Sequence, residues 1–183
     1  EEKISIQRVK ALSSLEQAQN EEMLVMEKVA ADPDVGKDMV EIVQTRGYEI
    51  ETHYVTTADN YILTMFRIPS SVENAPAVIL QHGLLASSFT WVSNFEGESL
   101  GYILSDSGFD VWFGNNRGNV YGRNHTTLNP DAKTDGFWDF TWDEMAAEDL
   151  PAMINYVCDT TNRSSLSWVG HSEGTIQMFA AGS

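Results

Sequence analysis

The spacing of apolar residues predicts where helices and strands lie along the chain. Over residues 1–32, apolar positions recur at a loose helical spacing among many charged residues, and Asp32-Pro33-Asp34 ends the pattern. This segment predicts a helical arm, followed by a second domain over 33–183. Between 48 and 68 the residues alternate in polarity around the turn residues Ala58-Asp59-Asn60, which predicts an antiparallel hairpin.

Three short apolar runs downstream predict buried strands, with helical patterns after each. The runs cover residues 77–80, 109–113 and 166–169, and the helical patterns cover residues 100–104, 141–157 and 175–181. Alternating strands and helices predict an α/β fold: a mostly parallel sheet with the antiparallel hairpin at its N-terminal side and helices on both faces. Ligands of such sheets bind beyond the carboxyl ends of the strands.

Two local signals predict helix starts near the C-terminal third of the chain. Thr141-Trp142-Asp143-Glu144 has the spacing of a capping box, in which the threonine and glutamate side chains satisfy the free backbone N–H groups. Pro151 cannot donate a backbone hydrogen bond, so we expect the helix to restart near Asp149-Leu150-Pro151.

Composition excludes several classes of function. The 183 residues carry a net charge of −16, so the clustered positive charge that nucleic-acid binding requires is not expected. No stretch approaches the roughly 20 apolar residues of a membrane helix, so we expect no transmembrane segment. The single cysteine, Cys158, excludes a disulfide within these residues. The hydrophobic content of 42% is typical of a chain with a packed core.

The pentapeptide Gly170-His171-Ser172-Glu173-Gly174 is the first motif that indicates chemistry. A strand pattern ends at Gly170 and a helical pattern follows Ser172, as in a nucleophile elbow. The glycines fit because the tight turn brings backbone segments so close that a Cβ would collide. The sequence therefore predicts Ser172 as a nucleophile, with the helix N-terminus stabilising an oxyanion.

A second motif, His82-Gly83-Leu84, ends the first buried strand. Hydrolases with a nucleophile elbow supply part of the oxyanion hole from backbone N–H groups at this position. We therefore predict two donors, the N–H groups of Leu84 and Glu173. We interpret His82 as a residue that supports the turn by hydrogen bonding rather than as the base.

Taken with several further segments, these motifs resemble the acid lipases of the α/β-hydrolase superfamily, the gastric, lysosomal and insect group. The resemblance covers residues 38–183. The segments that carry it, in the family's order and at similar spacing, are Gly47-Tyr48-Glu49, Asp59-Asn60-Tyr61-Ile62-Leu63, Gln81-His82-Gly83-Leu84-Leu85-Ala86-Ser87-Ser88, Gly108-Phe109-Asp110-Val111-Trp112, Gly114-Asn115-Asn116-Arg117-Gly118-Asn119, Asp143-Glu144-Met145-Ala146, Asp149-Leu150-Pro151-Ala152 and the pentapeptide itself.

The resemblance implies a carboxylic ester hydrolase for neutral lipids, triacylglycerols or cholesteryl esters, acting through an acyl-enzyme on Ser172 at a lipid–water interface. It places the oxyanion donors on Leu84 and Glu173 and implies no cofactor and no metal. Glu173 departs from the family's usual glutamine, and a carboxylate beside an oxyanion is unfavourable unless it is protonated or turned away.

The base of the expected triad is the main open question. In this fold the triad runs in the order Ser, Asp or Glu, His, whereas His53, His82, His125 and His171 all precede Ser172. We therefore expect the chain to be the N-terminal portion of the catalytic domain, with the cap, the triad Asp and the triad His beyond residue 183. Two alternatives remain: a catalytically inactive truncated or pseudo-lipase that binds lipid or a partner, and a general short-chain esterase.

Two sequons indicate the compartment. Asn124-His125-Thr126 and Asn162-Arg163-Ser164 are candidate N-glycosylation sites at Asn124 and Asn162. Together with the resemblance, they favour a secreted or endolysosomal protein whose signal peptide is not in the sequence.

Charged residues elsewhere are interpreted as structural. The acidic side chains between Asp139 and Asp149 are expected to form a solvated helix face rather than a cation site. Arg117, in a loop rich in glycine and asparagine, is expected to order that loop rather than bind phosphate, because no lysine–hydroxyl pair follows as in a P-loop.

Overall fold

The computed structural model describes residues 17–24 and 33–182. The chain divides into two compact units, Glu1–Asp38 and Met39–Ser183. In the first unit residues 17–24 are helical and exposed. The remainder of the predicted arm over 1–32 lies outside the described residues, and the predicted domain boundary at residue 33 stays a prediction.

The second unit opens with helix α1 (Met39–Thr45) and a hairpin of strands β1 (Glu51–Thr56) and β2 (Tyr61–Ile68). The two strands pair antiparallel from Glu51 opposite Arg67 to Thr56 opposite Ile62. At the turn Asn60 has a φ of 76°, and the Thr57 hydroxyl accepts the backbone N–H of Tyr61. The predicted hairpin is confirmed.

Four more strands complete a mixed six-stranded sheet: β3 (Ala77–Gln81), β4 (Asp110–Gly114), β5 (Asn124–His125) and β6 (Ser167–Gly170). The strand order is β1-β2-β4-β3-β6, with β5 beside β2. Strands β4, β3 and β6 are parallel, whereas β2 runs antiparallel to its neighbours. Every residue of β3 and β4 is buried, as the continuous apolar runs predict.

Helices cover both faces of this sheet. Besides α1 they are α2 (Leu100–Asp106), α3 (Trp142–Glu144), α4 (Leu150–Thr161) and α5 (Glu173–Ala181). One buried cluster joins Met39 of α1 and Tyr102 of α2 to Leu80 on one face. A second cluster joins Met153 of α4 to Ile79 and other sheet residues on the opposite face. The predicted α/β architecture is confirmed.

The helix that precedes the nucleophile motif has an unpredicted geometry. The capping box is present: the Thr141 hydroxyl accepts the Asp143 N–H at 3.2 Å, and the Glu144 carboxylate accepts the Thr141 N–H at 2.6 Å. The α-helix restarts at Leu150 as expected for Pro151, but Met145–Asp149 form a π-helical turn between the two α-helical segments. This wider turn lets the chain stay helical through the proline, and π turns are frequent at functional sites.

None of the helices within residues 17–24 and 33–182 has the length and apolar character that crossing a bilayer requires.

Candidate active site

Ser172 occupies a sharp turn between the end of β6 and the start of α5. Its backbone lies at φ 52° and ψ −116°, a conformation that costs energy for a residue with a side chain. A Cβ added to Gly170 would lie 2.6 Å from the carbonyl carbon of Gly174, and one added to Gly174 would lie 2.7 Å from the carbonyl oxygen of His82. The turn therefore requires glycine at both flanking positions, which is the steric reason for the pentapeptide.

The turn after β3 packs directly against Ser172. A Cβ added to Gly83 would lie 3.1 Å from the Ser172 Cβ and 3.0 Å from the His171 Nδ1. The His171 N–H donates to the Gln81 carbonyl at 3.0 Å, so the ends of β3 and β6 are held together. This packing brings the sequence-predicted residues Leu84, Ser172 and Glu173 to the wall of one cavity.

The two predicted oxyanion donors have no backbone acceptor in the part of the chain that the structure describes. Leu84 follows Gly83 in a turn closed by a 3.2 Å hydrogen bond from the Ala86 N–H to the Gly83 carbonyl. Glu173 is the first residue of α5, where backbone N–H groups have no partner within the helix. Within residues 33–182, no carbonyl is hydrogen-bonded to the N–H of Leu84 or of Glu173. Their role as oxyanion donors stays a prediction.

His82 supports the turn that carries Leu84 through a hydrogen bond to Gly83. Its side chain is 3% exposed, and Nδ1 lies 2.8 Å from the Gly83 carbonyl oxygen. Nε2 accepts from the Asn119 side-chain amide at 2.9 Å and from the Asn116 N–H at 3.3 Å, so the network assigns the ring proton to Nδ1. Burial lowers the pKa of His82 and so favours the neutral ring. This arrangement agrees with a supporting role rather than a base.

The loop after β4 is fixed by buried amide hydrogen bonds. The Asn115 amide donates to the Thr64 carbonyl and the Ser88 hydroxyl, both at 2.9 Å, and its oxygen accepts the Ser88 N–H. The Asn119 amide donates to that same oxygen at 2.9 Å. The loop that holds His82 is therefore itself held by β2 and by the segment that contains Ser88.

Arg117 anchors this loop through two carboxylates. Arg117 is 2% exposed, and its guanidinium binds both Asp59 oxygens at 2.6 and 2.8 Å and Asp149 at 2.8 Å. It also lies 4.0 Å from the centre of the Tyr61 ring. Burial disfavours the charged form of Arg117, but hydrogen bonds to Asp59 and Asp149 outweigh it and raise its pKa. The expected loop-ordering role agrees with these contacts.

One expectation for the acidic residues is wrong. Asp149 does not lie on a solvated face: its residue exposure is 0%, and its carboxylate accepts both the backbone N–H and the side chain of Arg117. The π-helical turn directs Asp149 inward, and a buried carboxylate requires such a partner.

Two adjoining cavities lie beside the turn that carries Ser172, and one of them is lined by Ser172 itself. One, of about 680 Å³, is lined by Ser172 and by apolar residues including Trp142 and Ile176. The other, of about 690 Å³, lies along the Gly83 turn and the Asn116–Asn119 loop. Both are typical in size for a small-molecule site. The residues that line both cavities are Leu84, Phe140, Met145 and Glu173.

Glu173 lines both cavities, and the pKa of its carboxyl is raised. Burial raises the pKa of the Glu173 carboxyl, and a hydrogen bond with the Gln177 amide opposes the effect only in part. Gln177 is fully buried one helical turn further along α5, and its Oε1 has no hydrogen-bond partner within the described part of the chain. The Glu173 carboxyl is therefore neutral up to a higher pH than the carboxyl of a free glutamate.

His53 and His125, like His82, have hydrogen-bond partners other than Ser172. His53 lies 3.0 Å from the Tyr156 hydroxyl and 3.0 Å from a Glu51 oxygen, and His125 Nε2 lies 3.1 Å from the Asp59 carbonyl oxygen. Across residues 33–182, no histidine is hydrogen-bonded to the Ser172 hydroxyl.

Sequence reasoning missed Met145, which the π-helical turn places at the junction of the two cavities. A proline six residues after Met145 was the available signal, but a proline alone does not specify a π turn.

The sequon residues Asn124 and Asn162 are exposed, at the short strand β5 and at the end of α4.

Comparison with known proteins places this geometry in a family. Residues 76–183 match the family model for the alpha/beta hydrolase fold, and residues 39–95 match that for the partial alpha/beta-hydrolase lipase region. The chain is 46% identical over 158 residues to the lysosomal acid lipase/cholesteryl ester hydrolase of Homo sapiens, covering 83% of this chain and 39% of that protein. It is 43% identical over 160 residues to the gastric triacylglycerol lipase of Bos taurus, covering 84% and 40%.

The chain thus spans about two fifths of the length of these relatives. Among solved structures, esterase Pf2001 of Pyrococcus furiosus aligns with a TM-score of 0.54 at 20% identity, covering 78% of this chain and 48% of the esterase. At that identity the likeness concerns the fold alone. From the family match over 76–183 and the lipase region that precedes it, we conclude that the chain belongs to the α/β-hydrolase fold family.

Proposed function

We propose that this chain provides the nucleophile and the oxyanion hole of a lipase that hydrolyses the carboxylic esters of neutral lipids. The observation that carries the proposal is the strained backbone of Ser172 at the wall of an apolar cavity that it shares with Leu84 and Glu173. The substrate class, triacylglycerols or cholesteryl esters, is supported by the names of the two lipases to which the chain is similar.

The chemistry follows an acyl-enzyme route. The Ser172 Oγ gives its proton to a base, attacks the ester carbonyl carbon and forms a C–O bond, while the carbonyl oxygen becomes an oxyanion. The tetrahedral intermediate collapses, the bond to the alcohol breaks, and the alcohol leaves with the proton that the base returns. Water then attacks the acyl-enzyme, releases the fatty acid and restores the serine hydroxyl.

The N–H groups of Leu84 and Glu173 stabilise the oxyanion in this proposal. Each such donor contributes about 2.7–4 kcal/mol to the stabilisation of a transition state. The N-terminal end of α5 adds a positive dipole end at the same point. A serine hydroxyl needs a base, and we propose that the triad His and its Asp are supplied by residues outside 1–183.

The proposal extends to the protein's surroundings. We propose that the protein acts at a lipid–water interface in a secreted or endolysosomal compartment and that Asn124 and Asn162 carry glycans. Substituting Thr126→Ala and Ser164→Ala removes each sequon without altering the asparagine, so each change should abolish one glycosidase-sensitive shift in electrophoretic mobility.

Ester hydrolysis tests the function directly. The natural full-length protein should release fatty acid from trioleoylglycerol or cholesteryl oleate, and Ser172→Ala should reduce that rate to background. A protein that hydrolyses p-nitrophenyl butyrate but neither trioleoylglycerol nor cholesteryl oleate would be a short-chain esterase. Lipid binding without hydrolysis of any ester would indicate an inactive lipid-binding protein.

A further inference from the structure

Backbone strain marks a second residue beside Ser172. Among the described residues, five that are not glycine have a positive φ, and three of these are asparagines, a residue type that tolerates this region. The other two are Ser172, at 52°, and Leu85, at 57°. Ser172 and Leu85, which are not residue types that tolerate a positive φ, therefore both lie at the candidate active site.

The side chain of Leu85 gains no burial against residues 33–182 that would compensate for the strain. Its position in the turn after Gly83 is one that glycine or asparagine usually occupies, because a Cβ is unfavourable there. The side chain is 99% exposed, so it contributes no burial to the core. A leucine held in an unfavourable conformation without burial against the described residues is consistent with a functional rather than a structural role.

The position of Leu85 indicates what its side chain would contact. Leu85 directly follows Leu84, a predicted oxyanion donor, and lines the 690 Å³ cavity together with the apolar residues Phe89, Val120 and Trp138. An ester whose carbonyl oxygen points to the Leu84 N–H has its hydrocarbon part within reach of this wall. The hydrocarbon chain of a long-chain ester would cover the exposed leucine and gain the hydrophobic free energy.

We propose that Leu85 is a specificity-determining residue that contacts the hydrocarbon chain of the ester substrate and favours long-chain over short-chain esters. The left-handed backbone at Leu85 presents the apolar side chain at the cavity while leaving the preceding Leu84 N–H for the oxyanion. This inference rests on the proposed ester hydrolase function. It assigns to Leu85 part of the selectivity of that hydrolase for the chain length of its substrate.

The test compares two esters and three variants of the natural full-length protein. Leu85→Gly removes the side chain and suits the positive φ, whereas Leu85→Met retains an apolar side chain. Asn74→Gly is the matched control, because Asn74 also has a positive φ, of 58°, and does not line either cavity at Ser172. The readouts are kcat and KM for p-nitrophenyl palmitate and butyrate in mixed micelles, with Tm for stability.

The expected result is a change in selectivity. Leu85→Gly should lower the palmitate-to-butyrate ratio of kcat/KM about tenfold, through KM, which is the order of a leucine side chain's hydrophobic contribution. Leu85→Met and Asn74→Gly should keep the wild-type ratio, and Tm should be unchanged or higher in Leu85→Gly because the strain is relieved. If Leu85→Gly does not fold, Leu85→Asn provides the same comparison.

Other results would overturn the inference. An unchanged ratio would show that Leu85 does not contact the chain, and an equal loss on both esters would show that it acts only through the turn. A large fall in Tm would show that the leucine packs against another part of the protein. If the wild-type protein hydrolyses neither ester and Ser172 is unreactive, the proposed function fails together with this inference, a result distinct from an unchanged ratio in an active enzyme.

Discussion

Gly83 and Ser172, 89 positions apart in the sequence, are in such close contact that a Cβ on Gly83 would stand 3.1 Å from the Cβ of Ser172. Each residue lies two positions beyond the end of a strand, Gly83 after β3 and Ser172 after β6, and these strands pair in parallel register. This contact fixes the distance between the nucleophile and the turn that carries Leu84. The geometry of the candidate oxyanion hole therefore depends on the absence of a side chain at residue 83.

Gly83→Ala should impair activity with little loss of stability. The added methyl group would contact the Ser172 Cβ and the carbonyl oxygen of His171, at 3.2 Å, and push the turn away from the nucleophile. Displacement of a catalytic group by as little as 1 Å can cost about 100-fold, so we expect kcat/KM to fall about 10- to 100-fold. The matched control is Gly97→Ala, because a Cβ there meets nothing within 4 Å. Equal activity of the two variants would contradict the predicted oxyanion hole.

Glu173→Gln should increase activity more at neutral than at acidic pH. Burial raises the pKa of Glu173, so the wild-type carboxyl is neutral below that pKa and becomes a carboxylate beside the oxyanion as the pH rises through it. Glutamine is neutral at every pH and keeps the backbone donor. We expect kcat/KM to rise about tenfold at pH about 7.5 and little at pH about 4, where glutamate is already protonated.

The control for this pH profile is Glu98→Gln, at an exposed glutamate that lines neither cavity at Ser172. It should show the wild-type profile. A Glu173→Gln variant with the same gain at both pH values would show that the charge of residue 173 does not act on the reaction.

Asp149→Asn should destabilise the protein strongly. The change removes one of two carboxylates from the buried Arg117, and breaking a buried ion pair costs about 3 kcal/mol or more in the free energy of unfolding. Asp59→Asn is the matched comparison, because the Asp59 side chain is 37% exposed and solvent partly replaces its contribution. Urea unfolding at neutral pH should rank Asp149→Asn as the less stable variant, and the reverse order would contradict Asp149 as the main anchor of the loop.

The local signals in the sequence predict the strands and the elbow because each depends on near neighbours. The apolar runs that form β3 and β4 are buried along their whole length, and Gly170 is required by its close approach to Gly174 within the same turn. The capping box at Thr141 is likewise a contact between residues three positions apart. Such features need no knowledge of the rest of the fold.

The features that the sequence did not predict depend on residues distant in the chain. The burial of Asp149 follows from its pairing with Arg117, which lies 32 positions away. The exposure and strain of Leu85 follow from how the turn after β3 packs against the elbow, and a leucine in the sequence carries no signal for a left-handed backbone. The π-helical turn that places Met145 in the site is a third case, because the nearby proline permits several helix geometries.

The reactivity of Ser172 is the central claim, and covalent labelling measures it most directly. A fluorophosphonate probe reacts with a serine hydroxyl only when that hydroxyl is activated. In the natural full-length protein, peptide mass spectrometry after labelling should place the probe on Ser172, and Ser172→Ala or prior denaturation should abolish it. A folded protein that stays unlabelled, or that is labelled on another serine, would contradict the assignment of Ser172 as the nucleophile.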